Sequence, residues 1–190
     1  MKLSGSYQIN LSKEKVWEAL NNPEILKKAI PGCEEFTKNS DTEFTAKATN
    51  KIGPFNASFT GDVELKDLNP PNSYKITGSG NSPVGFASGE AFVKLEDNEQ
   101  GTKLIYEVEA NVGGKIAQVG SRLIDMTAKK MADIFFGKFS ELISVSDDTN
   151  KDLSSQQIYN SINKQSNTKS KIWAYSAIVA GALILAYLIF

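Results

Sequence analysis

The chain has 190 residues, with 21 Lys and Arg against 22 Asp and Glu, which gives a formal net charge of -1. This balance argues against non-specific nucleic-acid binding, which requires a basic surface. Because there is no His and a single Cys, this chain alone supplies no Ser-His-Asp triad, no His-ligated metal or haem and no internal disulfide. We therefore expect no catalytic centre and no metal site, and the composition favours a binding module.

Strand and helix patterns follow one another from the N-terminus. Residues 3–11 alternate between apolar and polar side chains, as in a strand. Ser12 is then a candidate N-cap for a short helix, and Pro23 stands at the start of a second helix that Pro31-Gly32 ends. From residue 42 onward the period is two, and the turn-like sequences at 69–72 and 97–101 favour a series of antiparallel hairpins. The predicted strands of this region are 44–48, 55–65, 74–78, 84–96 and 102–112.

The pattern changes after Gly113-Gly114, which we expect to form a tight strand-to-helix turn. Apolar residues then recur every three or four positions up to about residue 144, and this spacing predicts one long amphipathic helix. Its apolar stripe must pack against the apolar face of the sheet. The sequence therefore predicts an α+β domain over residues 1–145, with an antiparallel sheet curved around a long C-terminal helix in a helix-grip arrangement.

The remaining residues differ sharply in composition. Residues 146–171 are rich in Ser, Asn, Gln, Asp and Lys and are interpreted as a flexible linker. Residues 172–190 carry no charge, and a helix of this length spans about 28 Å, close to the ~30 Å hydrocarbon thickness of a bilayer. A buried core helix and a cleaved lipid-anchor signal are alternatives, but a transmembrane tail anchor fits best.

Two features of this apolar segment set its expected orientation. Trp173, Tyr175 and Tyr187 stand near its ends, where aromatic rings prefer the membrane interface. The residues just before it include Lys164, Lys169 and Lys171, which the positive-inside rule keeps on the cytoplasmic side. We therefore expect a single-pass C-terminal anchor in the cytoplasmic membrane, with the N-terminal domain facing the cytoplasm.

Several sequence strings resemble one known family. They are IPGCE at 30–34, IGPF at 52–55, FTG at 59–61, VGGK at 112–115, AQVGSRLI at 117–124 and FFGKF at 135–139. The order of elements resembles the START-like, or SRPBCC, superfamily, and the strings resemble the G-subunit family of carbon monoxide dehydrogenase. The resemblance implies an accessory protein that brings an aerobic, molybdenum-containing carbon monoxide dehydrogenase, or a related molybdenum hydroxylase, to the cytoplasmic face of the membrane. It does not imply that this chain itself holds molybdenum, flavin or iron–sulfur clusters, and one Cys cannot build a four-Cys cluster site.

A sheet curved around a helix can enclose an elongated apolar cavity. An enzyme that releases electrons at a membrane needs an acceptor, and quinones are the lipophilic acceptors present there. We therefore expect a quinone or another isoprenoid lipid as the cavity ligand. The candidate cavity residues are Ile30, Cys33, Phe59, Phe86, Tyr106, Ile116, Val119, Leu123 and Met126. The helix residues in this set are interpreted as core packing first and cavity lining second.

Four further residues are candidates for gating or for partner contact: Pro31, Gly32, Gly85 and Arg122. The segment around Pro31-Gly32 is either a lid over the cavity or a simple turn. The Gly-rich segment around Gly85 is either a gate, a partner contact or a bulged hairpin. Arg122 pairs with Asp125 or Glu18, or else reaches a partner surface. Cys33 has neither a His partner nor a basic neighbour in sequence, so we do not expect it to be a nucleophile.

Three classes of function stay open at this point. The first is the membrane-tethered accessory protein and carrier of a lipophilic ligand. The second is a START-like cyclase or hydrolase, which the apolar character of the inward strand positions disfavours. The third is a generic lipid-transfer domain without an enzyme partner.

Overall fold

The computed structural model describes the backbone of residues 1–161 and the side chains of residues 1–145. In chain order, the elements are β1 (Lys2–Ile9), α1 (Lys13–Ala19), α2 (Pro23–Ala29), β2 (Cys33–Lys38), β3 (Glu43–Ile52), β4 (Phe55–Asn69), β5 (Ser73–Ser82), β6 (Gly85–Asn98), β7 (Gly101–Gly114), a 3-10 helix (Lys115–Val119) and α3 (Ser121–Ser161). This order is α+β and confirms the expected succession of a strand, two short helices, a strand meander and one long helix.

The strands form one antiparallel sheet with the order β1-β7-β6-β5-β4-β3-β2. Each strand from β2 to β7 pairs with the next one in sequence, as expected for consecutive hairpins. β1 pairs with β7, and the segment containing α1 and α2 connects the two outer strands. Seven antiparallel strands and a long C-terminal helix are consistent with a helix-grip fold.

One face of the sheet, here called the inner face, packs into the core with the helices. Its residues alternate with exposed polar residues along β4, β6 and β7, because side chains on a strand point to opposite faces in turn. From α3, the three aromatic residues Phe135, Phe136 and Phe139 join this core. The ring centroids of Phe136 and Tyr7 lie 4.1 Å apart, and the Tyr7 hydroxyl donates a hydrogen bond to Asp133. These contacts attach the N-terminal half of α3 to the edge strand β1.

Two boundaries differ from the sequence-based expectations. β2 was not predicted, because Phe36 is its one buried residue and the strand has an irregular register between Cys33 and Glu35. The long helix was expected directly after Gly114, but a 3-10 helix comes first and α3 begins at Ser121. The interruption is at Gly120, whose φ of 92° lies outside the right-handed helical region.

The C-terminal part of the chain extends the long helix. α3 continues to Ser161, so the backbone of residues 146–161, interpreted as flexible linker, is helical in this structure. The rest of that segment and the apolar segment 172–190, with Trp173, Tyr175 and Tyr187, lie outside the described residues. Within residues 1–161, no helix combines the length and the apolar character needed to cross a bilayer. The tail anchor therefore stays a prediction.

Candidate functional site

The inner face of the sheet is apolar and differs in side-chain size along its strands. Towards one end of the strands it carries large side chains that are almost completely buried, among them Phe44, Tyr74 and Ile76. The equally buried Phe59 lies next to Gly61 on β4, on the side away from that end. Another part carries residues with little or no side chain. These small residues are Ala46 on β3, Gly61 on β4, Gly78 and Gly80 on β5, and Ala87 on β6.

The strand register places four of these small residues side by side. Ala46 pairs with Gly61, Gly61 with Gly80, and Gly80 with Ala87. All four are buried, and Gly78 is the next inner-face residue on β5. We call these five residues the small-residue trough. The buried face of α3 also includes two alanines, Ala128 and Ala132, so small side chains are common in this core.

Two buried polar atoms in the described part of this core have no hydrogen-bond partner. They are the indole Nε1 of Trp17 on α1 and the phenol Oη of Tyr74 on β5. Trp17 is 3% exposed and Tyr74 is 2% exposed, and their rings meet edge to face with centroids 5.3 Å apart. Burial alone raises the pKa of Tyr74 well above its usual value, and no charged group contributes to this shift. Trp17 and Tyr74 therefore leave two hydrogen-bond donors unpaired inside the packed core.

Four of the predicted cavity residues do lie in the interior. Ile30, Phe59, Tyr106 and Ile116 are between 0% and 5% exposed and belong to the main hydrophobic core. The Tyr106 ring stacks near Phe136, and burial raises the pKa of its hydroxyl.

Phe86 does not line the interior, contrary to the prediction. It is 51% exposed, and its neighbour Ala87 faces the core instead. The Phe86 ring lies over Gly113, its cross-strand partner on β7, where any side chain would collide with the ring. The aromatic side chain therefore covers a glycine on the outer face of the sheet.

The helix residues of the prediction are also partly misplaced. Met126 is 60% exposed and Leu123 is 37% exposed, so neither belongs to the buried core. A Cβ atom placed on Gly53 would lie 3.1 Å from Leu123 Cδ2 and 3.3 Å from Val119 Cγ1. Leu123 and the half-buried Val119 therefore pack over the β3–β4 turn. Both Leu123 and Met126 follow the break at Gly120, and the buried face of α3 passes instead through Ala128, Ala132 and Phe135.

Cys33 is half-buried, and its Sγ lies 3.4 Å from the carbonyl oxygen of Glu35. Burial raises the pKa of this thiol, and the nearby Lys27 acts in the opposite direction. A raised thiol pKa lowers the fraction of reactive thiolate at neutral pH. This environment fits a packing residue better than a reactive one.

The segment around Pro31-Gly32 is held by hydrogen bonds from β3. The Thr49 amide donates to the Gly32 carbonyl oxygen at 2.9 Å, and Asn50 Nδ2 donates to the Pro31 carbonyl oxygen at 3.4 Å. Gly32 has a φ of 72°, and a Cβ atom there would overlap the Thr49 carbonyl oxygen. Of the two interpretations given above, these contacts favour a fixed turn.

Gly85 and Arg122 complete the gating candidates. Gly85 begins β6 and pairs with Gly114, and a side chain there would collide with the carbonyl oxygen of Gly113. Gly85 therefore allows two strands to approach closely. Arg122 is exposed near the start of α3, and among the described side chains it forms no ion pair with Asp125 or Glu18. Its predicted role in partner contact stays a prediction.

Sequence reasoning missed Trp17, Tyr74 and the small-residue trough as parts of the site. Trp17 and Tyr74 are predicted only as apolar members of a helix and of a strand. The usable signal is the inner-face series Tyr74, Ile76, Gly78 and Gly80 on β5, in which side-chain size falls along one strand. Among residues 1–161, there is no group of three or more Asp, Glu, Cys or His side chains arranged to hold a metal ion.

The fold is shared with several proteins of known structure. A conserved protein from Geobacillus kaustophilus superposes with a TM-score of 0.73 and 31% sequence identity, and the match covers 77% of this chain and 97% of that one. A protein of unknown function from Staphylococcus aureus has a TM-score of 0.59 and 13% identity, over 78% of this chain and 96% of its own. A protein from Thermus thermophilus has a TM-score of 0.59 and 12% identity, over 77% of this chain and 99% of its own. The last two show the fold alone.

A family model gives the more specific result. No curated protein has a significantly similar sequence. The model of the carbon monoxide dehydrogenase G subunit (CoxG), in contrast, matches residues 5–144, which include nearly all of the sheet and all of α3 that belongs to the core. The chain therefore belongs to the CoxG family.

Proposed function

We propose that this chain is a membrane-anchored accessory protein of an aerobic molybdenum-containing carbon monoxide dehydrogenase, or of a related molybdenum hydroxylase. In this proposal it recruits the enzyme to the cytoplasmic face of the membrane and binds a quinone or a similar lipophilic ligand, which takes electrons to the respiratory chain. The observation that carries the proposal is the family match over residues 5–144. The family is named for association with carbon monoxide dehydrogenase, and the rest is our inference.

The interior of the domain supports a binding role rather than an independent enzyme. The inner-face residues of the described strands are almost all apolar, and their titratable members are tyrosines. Hydrolases and cyclases need an acid, a base or a nucleophile placed in the site. An apolar interior with few polar groups is typical of sites for hydrophobic small molecules.

The anchoring part of the proposal is tested by cell fractionation. Three strains carry the full chain, the chain without residues 172–190, or the domain joined to an unrelated single-pass tail. We expect the dehydrogenase to sediment with membranes in the first and third strains and to stay in the supernatant in the second. Sedimentation of the enzyme in all three strains, or in a strain lacking the chain altogether, would contradict the anchoring role.

The carrier part is tested by quinone reduction. The purified dehydrogenase is given its substrate and a tailed quinone, with and without the full chain in detergent. We expect the chain to accelerate quinone reduction, and we expect Phe86→Ala to behave like the wild type because Phe86 lies on the outer face. No acceleration by the wild-type chain would leave only the anchoring role.

A further inference from the structure

The outer face of the sheet, opposite the core, carries carboxylates that the strand register places in one row. Glu43 on β3 pairs with Glu64 on β4, and Glu90 on β6 pairs with Glu109 on β7. Thr77 on β5 lies between the two pairs. The two flanking rows contribute two more carboxylates. We call the whole exposed set the acidic face, and its members are Glu43, Asp62, Glu64, Glu90, Glu107 and Glu109.

This arrangement of charges is unfavourable within the chain itself. Like charges directly opposite each other destabilise an antiparallel sheet, and both glutamate pairs of the row are of this kind. Lys66 and Lys2 each form an ion pair with one of these glutamates, but exposed ion pairs contribute little. With Lys75, the three rows hold three lysines against six carboxylates, although the whole chain has a net charge of only -1. The acidic face is therefore a local excess of negative charge.

A shallow groove crosses the acidic face, because the outer side chains in its middle are short. These are Thr77 and Ser79 on β5 and Ser88 on β6, and carboxylates stand on either side of them. Three recesses open there and join one another, since Glu90 lines two of them and Thr77 also lines two. Phe92 borders one recess and is 42% exposed. Exposed aromatic side chains are enriched in protein interfaces.

We infer that the acidic face is the surface on which the partner enzyme docks, and that the enzyme presents a basic surface of Lys and Arg side chains to it. This inference rests on the proposed function, and it adds the place of contact and the charge of the partner. Carboxylates accept strong hydrogen bonds from Lys and Arg, and an aromatic face such as that of Phe92 attracts the same cations. Complementary charge also steers the two proteins together.

The sign of the charge excludes other occupants. Anionic lipid headgroups and nucleic acids are repelled by carboxylates. A symmetric dimer through this face would bring the acidic residues of two copies together, which is unfavourable for the same reason. Within residues 1–161, these carboxylates do not form a group that could hold a metal ion. A cationic protein surface is the occupant that fits.

The size of the face indicates a transient complex. The acidic face crosses six strands, from β3 to β1, which span about 24 Å at about 4.8 Å per strand. With about 20 Å along the strands, the face covers about 500 Å², so docking would bury about 1,000 Å² over both partners. Weak complexes of electron-transfer proteins have interfaces of this size. A chain that carries electrons away from the enzyme must also dissociate from it.

The test measures the affinity of the full chain, in detergent, for the purified dehydrogenase. We expect Kd to rise several-fold between about 50 mM and about 300 mM salt, because exposed charges are screened. Glu90→Lys should weaken binding about tenfold. Glu99→Lys is the matched control, because it changes the net charge equally but lies in the turn between β6 and β7, and it should bind like the wild type.

A second pair of variants tests the aromatic contact. Phe92→Ala should weaken binding about fivefold, because the ring borders the groove. Phe86→Ala removes an equally exposed phenylalanine of the same strand, whose ring packs over Gly113 outside the groove. It should leave the affinity unchanged.

Thermal melting separates lost docking from lost folding. Glu90→Lys replaces a like-charge pair with Glu109 by a pair of opposite charges, so its melting temperature should equal or exceed that of the wild type. Glu43→Lys does the same opposite Glu64 on the other side of the groove and should also bind more weakly. Weaker binding by proteins that are at least as stable supports the inference.

Several results would overturn the inference while the proposed function stands. Wild-type binding that Glu90→Lys and Glu43→Lys leave unchanged would place the contact elsewhere. An equal loss in Glu99→Lys, or binding that does not respond to salt, would show that the acidic face is not recognised. Wild-type dimers that Glu90→Lys dissociates would make a second copy the occupant. If the wild-type chain does not bind the dehydrogenase at all, the proposed function fails together with the inference.

Discussion

The turn at Gly32 offers a direct choice between a lid and a fixed connection. Gly32 has a φ of 72°, and alanine in this left-handed region costs about 1–2 kcal/mol. Its Cβ atom would also overlap the Thr49 carbonyl oxygen, and moving apart would break the 2.9 Å hydrogen bond from the Thr49 amide, which contributes about 1 kcal/mol. We therefore expect Gly32→Ala to lower the free energy of unfolding by about 2–3 kcal/mol.

Gly120→Ala is the matched control for this experiment. Gly120 also has a positive φ, of 92°, but a Cβ atom there meets nothing within 4 Å. It should therefore cost only the backbone strain of about 1–2 kcal/mol. The lower entropy of alanine in the unfolded chain affects both variants similarly and cancels in the comparison. Urea denaturation of the full chain in detergent, followed by circular dichroism, measures both values. A Gly32→Ala variant no less stable than Gly120→Ala would show that the segment moves freely, as a lid does.

Three further predictions concern the tyrosines and the cysteine. Tyr7→Phe and Asp133→Asn both affect the hydrogen bond between these side chains, so each should destabilise the protein by about 1 kcal/mol. The double variant should lose less stability than the sum of the two single variants, which a double-mutant cycle of unfolding free energies measures. Burial raises the pKa of Tyr7 and Tyr74 in the folded protein above the usual value near 10. Above that pH the unfolded chain therefore binds fewer protons than the folded protein, and the free energy of unfolding should fall as the pH rises. A free energy of unfolding that stays constant from pH ~9 to ~11 would contradict this assignment. Cys33, whose thiol pKa is raised by burial, should react with iodoacetamide at pH ~8 more slowly than an unstructured cysteine peptide, and an equal rate would show that the thiol is exposed and ionised.

Local sequence patterns were sufficient to predict most strands of the sheet. Period-two alternation placed the strands from β3 to β7 and the outer strand β1, because each has one buried and one solvated face. β2 lacks this signal, since its neighbours on both sides of Phe36 are exposed and polar. Its pairing with β3 depends on tertiary contacts rather than on its own composition.

The start of the long helix shows a limit of helical periodicity. Ile116, Val119 and Leu123 continue the spacing of the later apolar stripe, so the pattern predicts one uninterrupted helix. A single glycine with positive φ at Gly120 changes the helix direction without changing that spacing. Ile116 before the break is buried as expected, whereas Leu123 and Met126 after it are exposed, because the buried face of α3 passes through Ala128, Ala132 and Phe135 instead.

The candidate site was harder to predict than the fold. Phe86 is a large apolar residue in a strand, and its sequence alone does not say whether it packs in the core or over a glycine of the next strand. The trough was missed because it consists of small residues on different strands that only the register brings together. The unpartnered donors of Trp17 and Tyr74 depend equally on three-dimensional packing.

The central claim is that this domain carries a tailed quinone in its interior. We would purify the full chain and its Ala87→Leu variant from cells in mild detergent, extract the bound lipid and identify it by mass spectrometry. The account predicts close to one quinone per wild-type chain and little in the variant, in which the trough is filled. Equal amounts in both proteins, or no more quinone than empty detergent micelles take up, would contradict it.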